Sequence, residues 1–363
     1  MKKRLHQLIE SILLAILTIS IQFFSCQKSE PTWHDENGYR WAELRFDHSG
    51  KPGFTRMPTE QTGITKVNSL TKEQITKNRH LLNGSGVAIG DVDNDGLADV
   101  YLCQLNGPNA LYKNLGSWKF QDVAKEAGVT CENQFSTGAV FADIDADNDL
   151  DLIVTAIGGP NACFLNDGTG TFTDFTREAG IHSETGAMSL ALADTDGDGD
   201  LDLYIVNNKK HTVKDLYPAA LRTIDRTVKK VGDTFEVLPE FKEHYVVTMR
   251  NGNMLHRFEV AEPDMYFLND GTGRFSKASW TDGNFLDEDG EPTPEYKDWG
   301  LSVRFQDMDG DGDPDLYLCN DFESPDRTWI NNGKGQFRAI DKLALRSVSA
   351  SSMSVDFSDI NRD

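Results

Sequence analysis

Short apolar runs separated by polar turns recur along the chain. In one unit the runs are residues 138–142, 150–156, 162–165 and 172–176, and the second is rich in β-branched residues. An Asn-Asp-Gly-Thr-Gly segment joins the last two runs, and its glycines supply the positive φ values that a tight hairpin requires. Apolar runs of this length with turn residues between them predict four short strands in each unit.

An acidic segment of nine residues follows the first predicted strand. Its copies are DVDNDGLAD at 91–99, DIDADNDLD at 143–151, DTDGDGDLD at 194–202 and DMDGDGDPD at 307–315. Their first acids are 52, 51 and 113 residues apart, so one regular period is interrupted once. Four strands in a repeat of this length predict an all-β fold, a β-propeller built of four-stranded blades.

An insertion within the third unit accounts for the long interval. The third predicted strand begins 18 residues after the first acid in the first two units, but 70 residues after it in the third. The additional residues lie at about 209–260 and contain no acidic segment. Residues 214–232 within them predict a short helix, so we expect a propeller with a partly helical insertion.

The acids at positions 1, 3, 5 and 9 of each segment predict a bound cation. With a backbone carbonyl at position 7, their oxygens can surround one hard cation with about six or seven ligands, which suits calcium better than magnesium. The four predicted sites consist of Asp91, Asp93, Asp95 and Asp99; Asp143, Asp145, Asp147 and Asp151; Asp194, Asp196, Asp198 and Asp202; and Asp307, Asp309, Asp311 and Asp315. Four carboxylates within nine residues repel one another unless a cation neutralises them.

Two further positions bear on the type of site. Position 6 is glycine except in the second segment, where Asn148 is a residue that tolerates the left-handed conformation. Position 12, where an EF-hand requires glutamate, is apolar in every copy, as Leu102 and Val154 illustrate, so the segments are not EF-hands. For any single segment, a solvated acidic turn without metal is the alternative interpretation.

A partial fifth segment closes the sequence. Asp359, Asn361 and Asp363 occupy positions 1, 3 and 5, and no glycine or ninth acid follows them. Because propeller blades bury their faces only against neighbouring blades, we expect the array to be truncated, with about two blades missing. The expected calcium content is therefore four complete sites and one partial site.

The first residues predict export. A positive Met-Lys-Lys-Arg start precedes a mainly apolar run at 8–24, and this run leads to Phe-Phe-Ser-Cys. A small residue directly before Cys26 resembles a bacterial lipobox, although Phe23 stands where leucine is usual. We therefore predict a signal peptide at 1–25, lipidation of Cys26 and an outer-membrane or surface lipoprotein of the bacterial cell envelope. Ordinary signal cleavage or an uncleaved anchor are the alternatives.

Charge and cysteine content limit the partners further. The chain has 58 acidic and 36 basic residues, a net charge of −22 that is concentrated in the repeats, so nucleic acid is excluded as a partner. We expect contact with a membrane only through the lipid anchor. Four cysteines remain after Cys26, and we expect Cys103 and Cys319 to be buried free thiols because they occupy equivalent positions in separate repeats.

The repeats resemble the FG-GAP/VCBS family, the integrin-type propeller repeat. The segments FQDVAKEAGV at 120–129 and FTDFTREAGI at 172–181 are similar to those of the cartilage acidic protein (ASPIC/UnbV) group of exported proteins. The resemblance covers about residues 53–363, after an N-terminal linker at 26–52. It implies a seven-bladed propeller with calcium in the blade loops and, usually, a separate C-terminal domain, of which nothing is present in this sequence.

Three functions remain open. The leading prediction is a non-catalytic, calcium-stabilised propeller that binds a protein or a glycan at the cell surface, although a fold does not name a ligand. The alternative is a propeller-based hydrolase or lyase, or an accessory domain of an enzyme, with His211, His244 and His256 of the insertion as acid–base groups. No catalytic motif such as HExxH is present to support it. A scaffold for an assembly is the third.

One aromatic cluster has two interpretations. Trp280, Tyr296 and Trp299 lie close together in the sequence, around the segment NFLDEDGEPTPEYKDWG. They either pack within a blade or form a platform on which a sugar stacks.

Overall fold

In this computed structural model the described residues are 33–36, 39–42, 53–250, 254–322, 324–341, 349 and 351–358. The chain divides into two units, residues 1–55 with 358–363 and residues 56–357. In the first unit, β1 (Trp33–Glu36) and β2 (Tyr39–Ala42) form an antiparallel hairpin within the predicted linker. The predicted signal peptide, Cys26 and the partial fifth site at Asp359, Asn361 and Asp363 lie outside the described residues.

The second unit begins with short helices and continues with two four-stranded sheets. Two α-helices come first, α1 (Thr59–Thr62) and α2 (Lys72–Lys77), followed by a 3-10 turn at Arg79–Asn83. Sheet one contains β3 (Val87–Gly90), β4 (Asp99–Leu102), β5 (Ala110–Asn114) and β6 (Phe120–Asp122). After α3 (Ala124–Ala127), sheet two contains β7 (Ser136–Ala142), β8 (Asp151–Ala156), β9 (Ala162–Asn166) and β10 (Phe172–Asp174), and α4 (Thr176–Ala179) follows it. In both sheets each strand pairs antiparallel with the next one in the sequence.

The insertion separates the second and third strands of sheet three, after β11 (Ala187–Ala193) and β12 (Asp202–Asn207). It contains α5 (Val213–Leu216), a 3-10 turn at Ala219–Leu221, α6 (Ile224–Thr227), β13 (Val228–Val231), β14 (Thr234–Val237), a 3-10 turn at Pro239–Phe241, β15 (Tyr245–Arg250) and β16 (Met254–Glu259). The expectation of one helix at 214–232 was therefore wrong in part. Pro218 separates the helical turns because it cannot continue a helix, and the β-branched Val228 and Val231 belong to a hairpin.

Sheets three and four complete the described array. Sheet three ends with β17 (Met265–Asn269) and β18 (Phe275–Lys277). Sheet four contains β20 (Gly300–Gln306), β21 (Asp315–Asn320), β22 (Arg327–Asn331) and β23 (Phe337–Ala339), and β19 (Phe285–Leu286) adds a parallel edge strand beside β23. A π-helical turn at Trp280–Asn284 precedes β19. The described residues therefore form three four-stranded antiparallel sheets and a fourth sheet in which β19 is added to four antiparallel strands, and these sheets fit β-propeller blades.

The hydrophobic core lies between consecutive sheets. One cluster joins sheets one and two, another joins sheets two and three, and a third joins sheets three and four. Strand β8 contributes Leu152 to the first cluster and Ile153 to the second, because successive side chains of a strand point to opposite faces. Every residue of β8 is buried, which explains why four of its six residues, Leu152, Ile153, Val154 and Ala156, are apolar.

The first strands of consecutive sheets lie beside one another. Their small residues permit this approach. A Cβ atom on Gly138 would lie 2.8 Å from Oγ1 of Thr155 and 3.0 Å from Leu190. The short glycine- and alanine-containing runs thus place the first strands where the sheets come closest together.

The four described cysteines are free. Cys103 and Cys319 are buried and lie in different sheets, as expected, and Cys163 is also buried. Within the described ranges, no helix combines the length and the apolar character needed to cross a membrane.

Candidate metal centres

Each acidic segment forms the loop between the first and second strands of its sheet. The ninth acid is the first residue of the second strand in every case, as Asp99 in β4 and Asp151 in β8 illustrate. Both ends of each loop are therefore fixed by strands. Because the same connection is used in all four sheets, the four loops lie at equivalent ends of the sheets.

The acid at position 1 holds the loop in a tight turn. In the first loop, the two carboxylate oxygens of Asp91 accept the backbone N–H groups of Asp95 and Gly96 at 3.1 and 2.8 Å. In the second, Asp143 accepts those of Asp147 and Asn148 at 3.1 and 3.0 Å. These bonds pre-form the turn without any ion.

Two positions of each loop have positive φ. Position 6 was expected to do so, and Asn148 takes φ 73° there as Gly96 takes φ 86°. Position 4 was not predicted. It has positive φ in all four loops, including at Asn94 and Ala146, which are not glycines. Asn94, Gly197 and Gly310 were a signal that could have found it, and only Ala146 obscured the pattern, because alanine rarely adopts this conformation.

The acid at position 9 is buried and ties the loop to the third strand. Asp151 is 1% exposed, and its oxygens accept the N–H groups of Ile144 at 3.1 Å and Asn166 at 2.8 Å. Asp99 makes the corresponding bonds at 3.1 and 2.7 Å. Burial raises the pKa of Asp151 to about 7 and that of Asp202 to about 6. The ninth acid is therefore a structural tie as well as a candidate ligand.

An asparagine that ends the third strand connects neighbouring sheets, which the sequence analysis missed. The side-chain amide of Asn166 donates to the carbonyl of Leu150 in its own loop at 3.1 Å and to Val92 in the preceding loop at 2.8 Å. Asn269 and Asn331 make the same two kinds of bond in sheets three and four. Asparagine at this place in every repeat was a signal that could have found it. The first three acidic loops are thus each held to the next sheet.

The structure brings three acids together in each loop. Oxygens within 4.8 Å of one another come from Asp91, Asp93 and Asp99; Asp143, Asp145 and Asp151; Asp194, Asp196 and Asp198; and Asp307, Asp309 and Asp311. The first two loops thus gather positions 1, 3 and 9, and the last two gather positions 1, 3 and 5. The remaining predicted ligands, Asp95, Asp147, Asp202 and Asp315, lie in the same loops but outside these closest groups.

These groups suit a hard divalent cation. Oδ1 of Asp93 and Oδ1 of Asp145 are buried without a hydrogen-bond partner. Such an oxygen is costly to bury unless a cation or a donor compensates it. All of the gathered donors are carboxylate oxygens, which favour calcium, magnesium or manganese over zinc or copper.

A family model for the FG-GAP-like repeat matches residues 91–154, 145–205 and 307–363. The chain carries FG-GAP-like repeats. A segment of 82 residues is 34% identical to cartilage acidic protein 1 of Xenopus tropicalis and covers 23% of this chain and 13% of that protein. It is 33% identical to the protein of Mus musculus over the same length. The match therefore spans about an eighth of the length of these relatives.

Solved structures show weaker similarity. A lectin of Agrocybe aegerita, described as recognising non-reducing terminal N-acetylglucosamine, is 16% identical with a TM-score of 0.28, over 69% of this chain and 63% of that one. The biofilm matrix protein Bap1 of V. cholerae is 13% identical with a TM-score of 0.26, over 69% and 38%. Similarity this weak carries no conclusion about the chain.

The first FG-GAP-like repeat contains a cation of its own. Lys113 is the penultimate residue of β5. Its ammonium group forms an ion pair with Asp93 and lies 3.9 Å from an oxygen of Asp95. Its bond to Asp93 raises the pKa of Lys113. The equivalent residues of the other repeats are apolar, namely Leu165, Leu268 and Ile330. The ammonium of Lys113 thus partly neutralises the acids of the first loop. Among the described residues, no ion pair reaches the acids of the other three loops.

The three aromatic residues do not form one platform. Trp280 is 1% exposed and stacks on Phe285 with ring centroids 3.9 Å apart, so it belongs to the core between sheets three and four. Tyr296 packs edge-on against Trp280 and holds the guanidinium of Arg327 over its ring at 3.5 Å. Packing explains these two. Trp299 lies elsewhere and lines a cavity.

The insertion brings two of its three candidate histidines together. His211 and His244 line one cavity of about 290 Å³ with Lys209 and Lys210, and Nδ1 of each histidine is buried without a hydrogen-bond partner. Burial lowers the pKa of His244. His256 lies on β16 opposite Thr248 and is not among the residues that line this cavity.

Proposed function

We propose that this protein is an exported, calcium-stabilised, propeller-type binding module without catalytic activity, attached to the cell envelope through lipidated Cys26. Calcium is its structural ion, and its ligand is a protein or a glycan. The observation that carries the calcium assignment is the pair of buried, partnerless carboxylate oxygens of Asp93 and Asp145 inside loops whose backbone is already fixed. The basic and apolar start of the sequence supports the export assignment.

The chain itself provides a rigid seat for the ion. The first acid fixes the turn, the ninth acid ties it to the third strand, and the terminal asparagine of that strand ties it to the preceding loop. Bound calcium supplies the positive charge that offsets repulsion among the acids. Since the first three loops each contact the next sheet, a cation in one of them stabilises the junction between sheets as well as the loop.

An acid–base enzyme is the second candidate. Its support is the shared cavity of His211 and His244. Mass spectrometry of a bound ligand distinguishes the two functions, because a binding module releases its ligand chemically unchanged.

The test is a thermal melt of the full-length protein with and without a chelator, followed by separate addition of calcium and magnesium. We expect a large fall in Tm on chelation that calcium reverses and magnesium does not. Each occupied site contributes about 2.7 kcal/mol to unfolding free energy when free calcium is one hundred times its Kd. An unchanged Tm after exhaustive chelation would remove calcium from the proposal.

A further inference from the structure

A second cavity lies at the end of the sheets opposite to the end that carries the acidic loops. Asn208 directly follows β12 and Asp321 follows β21, whereas the acidic loops precede these strands. Trp299 precedes β20, and Arg79 and His80 come from the helical segment before sheet one. The cavity has a volume of about 380 Å³, within the range of small-molecule sites.

We propose that this cavity binds a saccharide, which makes it the ligand site of the binding module proposed above. The inference rests on that proposed function for the role of the ligand, but its evidence comes from other residues.

Aromatic surface is available at the rim. Phe322 is 71% exposed, and its ring centroid lies 6.5 Å from that of Trp299. Its φ of 59° is unfavourable for a bulky side chain. The neighbouring N–H of Asp321 donates to the carbonyl of Trp299 at 2.8 Å and fixes this turn beside the cavity. An exposed ring held in this way offers an apolar face to the C–H face of a pyranose.

The polar lining matches hydroxyl groups. Arg79 and Lys214 supply donors, and Glu259 and Asp321 supply acceptors. A hydroxyl both donates and accepts, so it can use both kinds of group. Lys209 pairs with Glu259 at 3.3 Å, so the charged groups at the cavity leave one positive charge, less than the cluster of cations that a phosphate or nucleotide requires. Burial lowers the pKa of His80, so its ring adds no charge near neutral pH.

Two lining residues also carry unsatisfied polar atoms. Nε2 of His80 and Oδ1 of Asn208 are buried without a hydrogen-bond partner. Leaving such an atom unpaired is unfavourable, because its hydrogen bonds to water are lost and not replaced. A ligand rich in hydroxyls can satisfy either atom after a small side-chain rotation.

The size of the cavity favours a glycan over a protein. A stable protein interface covers about 800 Å² of each partner. The site is instead a small concavity formed by three separate segments, the turn at 79–83, the insertion and the loops of sheet four. One or two sugar residues fit such a space.

The experiment uses the full-length, calcium-loaded protein on a glycan array of neutral, N-acetylated and uronate oligosaccharides, followed by calorimetric titration of the strongest binder. F322A is the main variant because its exposed ring is dispensable for folding, and W299A is the second. W118A is the matched control. Trp118 is 65% exposed with φ 60°, and it lies in the β5–β6 hairpin next to an acidic loop.

We expect F322A and W299A to weaken saccharide binding by at least about tenfold, with W118A and the Tm of F322A unchanged. Failure of the folded, calcium-loaded protein to bind any saccharide overturns the inference, as does equal loss in F322A and W118A. If the protein binds a saccharide and F322A does not weaken this binding, the proposal of a binding module stands and the assignment of this cavity is rejected. If F322A abolishes saccharide binding and the Tm of the protein does not change on chelation, the assignment of the cavity stands and the calcium assignment is rejected.

Discussion

The first and second acidic loops share one backbone frame but differ in charge. In both, the acid at position 1 accepts two backbone N–H groups and the acid at position 9 is buried against the third strand. The first loop has Lys113 paired with Asp93, whereas Leu165 occupies the equivalent place in the second. Burial raises the pKa of Asp145, the acid that corresponds to Asp93. The same motif is thus placed in two electrostatic settings by a residue about 20 positions away.

This difference predicts unequal sites. A calcium ion entering the first loop competes with the ammonium of Lys113 for Asp93, whereas no basic side chain among the described residues forms an ion pair with the acids of the second loop. We therefore expect the second loop to bind calcium more tightly. The predictions below test this ordering.

Among the variants of the acidic loops, the largest effect is expected from D145N. The change keeps the shape of the side chain but removes a ligand and a charge. With free calcium at one hundred times its Kd, loss of the site lowers the unfolding free energy by about 2.7 kcal/mol. In chelator the sign reverses, because the variant lacks a buried unpaired carboxylate. Thermal melts of wild type and D145N in both conditions check this crossover.

The matched variant in the first loop is D93N. It leaves Lys113 without its partner, so its gain in chelator is smaller than that of D145N or absent. E132Q, which neutralises an exposed acid outside the loops, controls for net charge. Equal behaviour of D93N and D145N in both conditions would contradict the role given to Lys113.

The comparison extends to the opposite ends of the sheets, where sheet three buries a carboxylate. Asp264 accepts the N–H of Asn207 at 2.7 Å and the hydroxyl of Tyr204 at 3.0 Å, with Asp298 and Arg327 nearby. Burial raises its pKa to about 8. The unfolded carboxyl ionises near pH 4, so between pH 4 and 8 the folded state binds more protons. Its contribution to stability therefore falls by up to about 1.4 kcal/mol per pH unit as pH rises.

Sheet one shows the neutral equivalent. Asn109 accepts the N–H of Gln104 at 2.7 Å and donates to the hydroxyl of Tyr101 at 2.7 Å. D264N is therefore expected to stabilise the protein increasingly as pH rises from 5 to 7.5, and N109D to introduce the opposite dependence. Denaturant unfolding at both pH values measures this. A D264N effect that does not change with pH would disprove the assignment.

The sequence was sufficient for features that are written locally. The regular acidic segments, the alternating faces of the strands and the left-handed Asn148 follow from spacing and residue type. The division of labour within the acids did not follow, because the burial of the ninth position depends on hydrogen bonds to the third strand. The bond from Asn166 to Val92 joins residues 74 positions apart in neighbouring sheets, so the recurring asparagine marks one end of the bond but no local pattern identifies the other.

The insertion shows the same limit. Its residues lack the repeat period, so their hairpins and their two histidines at one cavity depend on tertiary packing. The sequence also grouped Trp280 with Trp299 by proximity. Trp280 is buried in the core, whereas Trp299 lines a cavity. The strands between them, and not their separation in the sequence, determine where each ring lies.

The smallest effect, and the most direct test of the comparison, is expected from K113L. It gives the first loop the apolar neighbour that the second already has. Because Lys113 is 39% exposed, solvent screens its charge, and its removal is worth only about 1 kcal/mol, or about a fivefold tighter Kd at the first loop. Calcium titration by calorimetry measures the change, and D93N identifies the binding step of the first loop.

K119L separates a local effect from a change in net charge. Lys119 is exposed on the same hairpin. Among the described residues it forms no ion pair with an acid of the loops. If the ion pair with Asp93 weakens the first site, K113L tightens one binding step and K119L tightens none. If both variants shift all steps alike, the whole field of the acidic chain sets calcium affinity, and the difference between the two loops has no consequence for binding.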